Sequence, residues 1–342
     1  MLILMRKDAS EEQVRAVEQA VERMGFSARS MPGEQRVAIG VVGNDRRLDD
    51  TSIRGLDGVH EVVHVSAPYK QVSREWKPEP TVITLANGTR IGGDELVVMA
   101  GPCAVESREQ LLTVADYVAA AGATVLRGGA YKPRTSPYAF QGMGPSGLQL
   151  LAEARERTGL AIVTEALDAE SADAIAEVAD IIQIGARNMQ NFALLRHIGK
   201  LGKPVMLKRG PSATIKEWLL AAEYLLAEGN ADVMLCERGI RSFDDATRNV
   251  MDVTAIPLVQ SLSHLPVVAH PSHATGVRAL VAPVAKASVA AGAQAIIVET
   301  HPDPRCALSD GPQALTPSDF RAMMGELAAV ANALGRSMAK LP

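Results

Sequence analysis

The segment Leu126–Tyr138, LRGGAYKPRTSPY, places Arg127, Lys132 and Arg134 within a span of eight residues. Gly128, Gly129, Pro133 and Pro137 punctuate its backbone. Two prolines break a helix and a glycine pair weakens one, so the spacing predicts a stiff loop. The loop follows a strand-like run, Ala123–Leu126, which puts three cations at a strand end. Arginine grips carboxylate or phosphate through two parallel hydrogen bonds and lysine adds a point charge, so such a loop suits small, multiply charged anions. A solvated basic turn has the same composition, and the rest of the chain has to decide between them.

Arg187, Lys208 and Arg238 also follow short apolar runs. Six cations converging on an apolar mouth repel one another strongly. They are tolerable where anions fill the site, which implies substrates with several negative charges, phosphates and a carboxylate first among them. The alternative is internal pairing of two or three of them with Glu165 or Glu237. A second set differs in chemistry: Cys103, His273, Glu299 and Asp310, one thiol, one imidazole and two carboxylates. Mixed sulfur, nitrogen and oxygen ligation with open positions fits a catalytic divalent transition metal such as manganese, iron, cobalt or zinc. Spacing alone equally allows a buried cysteine after Gly-Pro and a histidine held by an ordinary hydrogen bond.

These residues need a scaffold that brings strand ends together. Apolar runs recur at Val97–Ala100, Thr124–Leu126, Ala161–Thr164, Ile181–Ile184, Val205–Leu207, Val233–Leu235, Val267–Ala269 and Ala295–Val298. Helical stretches lie between most of them, for example Glu109–Ala121 and Ile215–Ala227. Eight such repeats over residues 96–342 predict a (β/α)8 TIM barrel, whose working residues sit at the C-terminal ends of the strands. Nearly every run is followed at once by a charged, His or Cys residue: Cys103, Arg127, Glu165, Gly185-Ala186-Arg187, Lys208-Arg209, Cys236-Glu237-Arg238, His270 with His273, and Glu299. Strands one, seven and eight become neighbours when the barrel closes, so the second set can meet. A doubly wound sheet fits less well, because no Gly-rich dinucleotide fingerprint follows the first strand.

Residues 1–66 read as a separate small α+β domain. Leu2–Met5 is a short strand, and Ser10 opens a helix with Gln13 as its capping-box partner. Val14, Val17, Val21 and Met24 keep helical spacing, and Gly25 ends it. Strands are expected near Phe26–Ser30 and at Arg36–Val42 and Val59–Val65, with a short helix around Leu48–Leu56. That is the β-α-β-β-α-β, ferredoxin-like order. Residues 67–95 form a connector and a hairpin: Asn87-Gly88 lies between two β-favouring runs in Thr81–Ile91, and the hairpin is expected to plug the N-terminal barrel end.

Composition bounds the rest. The chain has 342 residues, 47% of them hydrophobic and 22% charged, with a net charge of −4, an ordinary globular balance without the basic face of a general nucleic-acid binder. Three cysteines are too few, and odd in number, for a disulfide framework, which points to a reducing compartment. The start, MLILMRKD, is too short in apolar residues for a signal peptide or membrane span. The expectation is a soluble cytoplasmic protein with neither nucleic acid nor membrane as partner.

The segments AGPCAVES at Ala100–Ser107, LRGGAYKPRTSPY, IGARN at Ile184–Asn188, LKRG at Leu207–Gly210, CERGIR at Cys236–Arg241, PSHATG at Pro271–Gly276 and VETHPDPRCALSD at Val298–Asp310 closely resemble 3-deoxy-D-arabino-heptulosonate 7-phosphate (DAHP) synthases of the Iβ type. The resemblance covers essentially the whole chain. It implies condensation of phosphoenolpyruvate with erythrose 4-phosphate, the entry step to aromatic amino acid synthesis. It implies a divalent metal, Mn2+ first, with Fe2+, Co2+, Zn2+ or Cd2+ as alternatives, held by Cys103, His273, Glu299 and Asp310. By the same carry-over Arg127, Lys132, Arg187, Lys208 and Arg238 hold phosphoenolpyruvate, with Glu165, Gly185 and Ala186 at the same site. Pro133, Arg134, Thr135 and Ser136 receive the aldose phosphate, and Lys132 serves as proton donor to the aldehyde oxygen.

The 3-deoxy-octulosonate 8-phosphate synthases, which share the barrel and use arabinose 5-phosphate, are the nearest competitor. They carry an Asn-Arg-Ser-Ser type loop where this chain has Lys132-Pro133-Arg134-Thr135-Ser136, which favours the four-carbon aldose. The other reading is a non-catalytic sensor of Tyr or Phe, because the N-terminal, ACT-like domain of this family can be regulatory. The family also implies a homotetramer. One departure stands out: the family usually has Asp three residues before the metal histidine, and here the residue is His270. A group that titrates near neutrality is therefore expected beside the aldose site, with a share in catalysis.

Overall fold

The computed structural model describes residues 1–32, 36–43, 49–63 and 68–341. The chain divides into two compact units, Met1–Pro78 and Glu79–Pro342. In the first, β1 (Leu2–Met5), α1 (Glu11–Arg23), β2 (Ser27–Pro32), β3 (Val37–Val42), α2 (Thr51–Arg54) and β4 (Val59–Val63) follow one another. The antiparallel sheet runs β2-β3-β1-β4, the ferredoxin-like arrangement. The capping box at α1 is formed: Gln13 N–H donates to Ser10 Oγ at 3.3 Å, and Ser10 N–H to Gln13 Oε1 at 2.9 Å. Val17 and Val21 bury that helix against Ile3, Ile39 and Ile53.

The second helix of this unit is shorter than expected. Of the stretch Leu48–Leu56, residue 48 lies outside the described residues and only Thr51–Arg54 is helical. Asp49 accepts the Thr51 N–H at 3.0 Å and competes with helical pairing, and Gly58, at φ +87°, turns the chain into β4. The strand expected to reach Val65 is described to Val63, and residues 64 and 65 lie outside the described residues. Trp76 lies over β3 at Gly40, where a Cβ would stand 1.6 Å from its ring.

The second unit opens with a hairpin, β5 (Ile83–Thr84) and β6 (Arg90–Ile91), turning at Asn87-Gly88. Eight parallel strands follow among the described residues: β7 (Glu95–Gly101), β8 (Val125–Arg127), β9 (Ala161–Ala166), β10 (Ile181–Ile184), β11 (Val205–Lys208), β12 (Val233–Glu237), β13 (Val267–Ala269) and β14 (Ala295–Glu299). The sheet closes on itself through β14 and β7, from Ala295 opposite Val97 to Glu299 opposite Gly101. Between the strands run α3 (Arg108–Ala120), α4 (Pro145–Thr158), α5 (Ala169–Val178), α6 (Phe192–Gly199), α7 (Ile215–Ala227), α8 (Ala255–Leu262) and the pair α9 (Pro271–Thr275) and α10 (Arg278–Ala290). The last helix, α11 (Pro317–Ala333), leads to β15 (Ser337–Met338), which adds parallel to the start of β7. Capping boxes fix the starts of α5, α7 and α11 through Asp168, Thr214 and Thr316.

Ile83, Leu85 and Ile91 of the hairpin share one apolar cluster with Val97, Val125, Ala161 and Ile181 at the strand starts. Asn87 donates to the carbonyls of Thr124 and Gly159, just before β8 and β9. The hairpin therefore seals the N-terminal end of the barrel and leaves the other end for chemistry. Ile83 is fully buried, and its truncation leaves a cavity that a closed barrel relaxes into poorly. Ile83→Ala should cost about 2–5 kcal/mol in denaturant unfolding. A cost below about 0.5 kcal/mol would mean that the hairpin is not part of the folded core.

Candidate active site

A cavity of about 320 Å³ opens at the C-terminal ends of the strands, a size suited to small metabolites. Its wall holds Arg127, Lys132, Pro133, Arg134, Thr135, Ser136, Glu165, Gly185, Ala186, Arg187, Lys208, Arg238, His273 and Asp310, all anticipated from sequence. Arg127 ends β8, Glu165 lies in β9, Lys208 ends β11, and Arg238 follows β12. Lys132 lies on the glycine- and proline-rich loop, which folds back so that Nζ donates to the Cys103 carbonyl at 2.9 Å and approaches Cys103 Sγ at 3.1 Å. Arg134 donates to Ser309 Oγ, and Arg187 to Thr135 Oγ1 at 3.4 Å.

Neither Glu165 nor Glu237 forms an ion pair with any of these cations. Glu165 accepts from Gln183 Nε2 at 2.8 Å. Glu237 pairs at 2.8 Å with Arg209, which also reaches Asp252 at 2.9 Å and packs over Trp218 outside the cavity lining. Arg127 is the cation that is neutralised internally, by Glu299 at 2.5 Å. Lys132, Lys208 and Arg238 make no ion pair among the described residues, although Lys132 is 6% and Lys208 5% exposed. Buried positive charge without a counterion is costly, and an anion in the cavity removes the cost.

Cys103 and Glu299 lie just beneath the cavity. With His273 and Asp310 they offer one sulfur, one nitrogen and two oxygen donors, all within 4.8 Å of one another. Cys103 Sγ stands 3.0 Å from Asp310 Oδ2, and His273 stands 3.1 Å from Glu299 and 3.2 Å from Asp310. This soft-plus-hard donor set fits a divalent transition metal, and the four residues could hold one between them. Burial lowers the His273 imidazole to about 3, despite the two carboxylates that favour its charge, so it is neutral at pH 7 as a ligand must be. Burial alone would raise the Glu299 carboxyl, but His273 and Arg127 carry it down to about 2. Asp310 is also buried, yet His273 and Arg248 hold its carboxyl far below the usual carboxylate range. Burial, reinforced by Glu299, pushes the Cys103 thiol up to about 12, so it keeps its proton until a cation displaces it.

His270 is fully buried and absent from the cavity wall. Its Nε2 faces His273 Nδ1 at 3.1 Å, and its Nδ1 has no partner among the described residues. Residue 270 precedes α9, and the turn into that helix aims its ring behind His273 rather than into the mouth. Burial and the cations around it hold its imidazole well below the ordinary value. Three wall residues were not anticipated, Ala139, Arg248 and Ser309. Arg248 comes from the long loop after β12, far from any strand end, and Ser309 directly precedes Asp310. Adjacency to a carboxylate already singled out was the available signal for Ser309; Arg248 had none.

Comparison with known proteins covers both units. Residues 80–333 match the DAHP synthetase I family, and residues 1–67 match the DAHP synthase ferredoxin-like domain. A phospho-2-dehydro-3-deoxyheptonate aldolase of Thermotoga maritima is 48% identical over 335 residues, spanning 98% of this chain and 99% of the relative. A 2-dehydro-3-deoxyphosphooctonate aldolase of Acidithiobacillus ferrooxidans is 35% identical over 64% of this chain and 83% of its own length. The crystal structure of the Thermotoga DAHP synthase superposes with a TM-score of 0.79 at 47% identity, covering 99% of both chains. A truncated form of that enzyme covers 78% of this chain with a TM-score of 0.74.

Burial, with Arg127 nearby, lowers the Lys208 ammonium to about 8. An anion prefers the charged form, so phosphate affinity should fall as pH rises through that value, by up to about tenfold per pH unit. Calorimetric titration of inorganic phosphate above about pH 8, where its own second ionisation is past, checks this. Lys208→Met should bind more weakly and lose the slope; a wild type without the slope would show that Lys208 keeps its charge.

Proposed function

The chain belongs to the DAHP synthetase I family and catalyses the DAHP synthase reaction, which we propose runs in this cavity between phosphoenolpyruvate and erythrose 4-phosphate. The observation that carries the reading is the meeting, at one end of the barrel, of cavity-lining cations without internal counterions and the Cys103, His273, Glu299 and Asp310 donor cluster, of which His273 and Asp310 reach the cavity wall. Two substrates with two phosphates and a carboxylate supply the missing negative charge.

Arg127, Arg187, Lys208 and Arg238 bind phosphoenolpyruvate, with Gly185 and Ala186 shaping the wall beside Glu165. Arg134, Thr135 and Ser136 receive the aldose phosphate on a loop that Pro133 stiffens. C3 of phosphoenolpyruvate forms a bond to the aldehyde carbon, and the aldehyde oxygen takes the electron pair. Lys132, whose Nζ donates to the Cys103 carbonyl at 2.9 Å, gives that oxygen a proton. The attack leaves C2 as an oxocarbenium centre; water adds there and loses a proton, which restores Lys132, and the C2–O bond of the resulting hemiketal phosphate then breaks as its C2 hydroxyl proton passes to the departing inorganic phosphate. Fixed cations balance charge throughout, so preorganised electrostatics carry much of the rate. Cys103, His273, Glu299 and Asp310 would hold a divalent metal, Mn2+ first among the candidates, which would supply Lewis-acid polarisation of a carbonyl oxygen. His270 serves by orienting His273.

Phosphate release with each aldose tests the substrate assignment. Erythrose 4-phosphate should be strongly preferred; equal or faster turnover with arabinose 5-phosphate would transfer the chain to the octulosonate reaction. Chelation should abolish turnover and Mn2+ restore it, whereas full activity in a verified metal-free preparation would contradict the metal assignment. Cys103→Ser should weaken metal binding, because a soft thiolate is lost.

The N-terminal unit is regulatory in this reading, with Tyr or Phe as effector, and the assembly is a cytoplasmic homotetramer. Its three cysteines stay as free thiols, in keeping with a reducing compartment, and no described helix is long and apolar enough to cross a membrane. A chain starting at Glu79 should keep phosphoenolpyruvate-dependent turnover and lose inhibition by Tyr or Phe. A folded but inactive truncation would refute this division of labour.

A further inference from the structure

We infer that Arg248 and Gln313 form a positioning bridge that ties the two metal-binding carboxylates, Asp310 and Glu299, to each other and to the segment carrying His273. The inference rests on the reading of the four-residue cluster as a metal site and says how the rest of the chain holds that cluster in shape.

The chain of contacts is continuous. Arg248 Nη1 donates to Asp310 Oδ1 at 3.1 Å and to Gln313 Oε1 at 3.0 Å. Gln313, 3% exposed, donates through Nε2 to Glu299 Oε2. Arg248 takes the outer oxygen of Asp310, while Oδ2 faces Cys103 Sγ and His273 Nε2. One cation and one amide thus hold Asp310 Oδ1 and Glu299 Oε2, while Asp310 Oδ2 faces the cluster and Glu299 Oε1 lies between Arg127 and His273.

The cluster needs such support. Glu299 and Asp310 are like charges close together, and the Asp310 charge works against ionisation of Glu299. Asp310 also sits at φ +54°, alone among the described non-glycine residues in the left-handed region. Aspartate tolerates that region better than most side chains, and the contacts of its carboxylate add to the hold on it.

Arg248 is itself anchored against the histidine ligand's helix. Its N–H donates to the Thr275 carbonyl at 3.0 Å, and Asn249 N–H to Ala274 at 2.8 Å. Asn249 Nδ2 reaches the carbonyl of His273 at 3.0 Å. Two glycines at positive φ make room for this approach: a Cβ at Gly276 would stand 2.6 Å from Arg248 Cβ, and one at Gly239 would stand 2.8 Å from Asn249 Cβ. Two consecutive residues of the loop after β12 therefore fix three of the four metal-binding residues relative to one another.

Outer partners of this kind typically change metal affinity by about 10–100-fold when removed. The test uses Co2+ as probe and reads the charge-transfer band of its bond to the Cys103 thiolate, a signal independent of turnover. Arg248→Ala and Gln313→Met should each weaken Co2+ binding by about 10–100-fold, and Arg248→Lys should recover part of the loss. Unchanged Co2+ affinity in both folded variants would overturn the bridge. So would an Arg248→Ala enzyme with a raised KM for the aldose phosphate and wild-type Co2+ affinity, because Arg248 would then be a substrate ligand. If the wild type itself showed no Co2+ band, the metal reading would fail first and the bridge with it.

Discussion

A carboxylate stays ionised in a protein interior only where a countercharge stands against it, and Glu299 meets that condition through Arg127. Neither side chain is more than 4% exposed, and they meet at 2.5 Å. Deleting one partner of such a pair costs about 3–5 kcal/mol, because the other charge is left buried and alone. The contact joins the ends of β8 and β14, the two strands that flank β7 in the closed sheet. It also joins the two chemistries of the site. Arg127 belongs to the cations that face the cavity, and Glu299 to the donors beneath it, so the position of each set is fixed by the other.

Once Arg127 is spent on Glu299, the remaining charge is unbalanced. Lys132 and Lys208 are buried and Arg238 is largely so, yet none has a carboxylate partner among the described residues. A fold selected for stability alone would pair them or replace them. Arg209 shows the alternative: the same chain, one residue past Lys208, pairs a buried guanidinium with Glu237 and Asp252. The contrast between neighbours separates charges that hold the barrel together from charges kept for a ligand.

Much of this was legible in the sequence because local signals agreed with the fold. β13 spans Val267–Ala269 and α7 spans Ile215–Ala227, both as read from apolar runs and caps. A barrel rule then located the site, since strand ends converge whatever the intervening helices do. The failures are the contacts that no local pattern encodes. Which carboxylate neutralises Arg127 depends on barrel closure, which brings residue 299 beside residue 127. Arg248 lies in a loop without periodicity, and its place at the cavity follows from packing against α9. His270 occupies the expected strand end, but its ring lies against His273 and off the cavity wall.

The account's central claim is that uncompensated cations await an anion independently of the metal. Melting of chelated protein with and without phosphoenolpyruvate addresses it directly. A ligand that binds the native state at 100 times its Kd stabilises by about 2.7 kcal/mol. Phosphoenolpyruvate should therefore raise the melting temperature of the metal-free protein, and Lys208→Met should blunt the rise. No shift in the absence of metal would contradict the claim, because the cations would then need the metal before they could hold the anion.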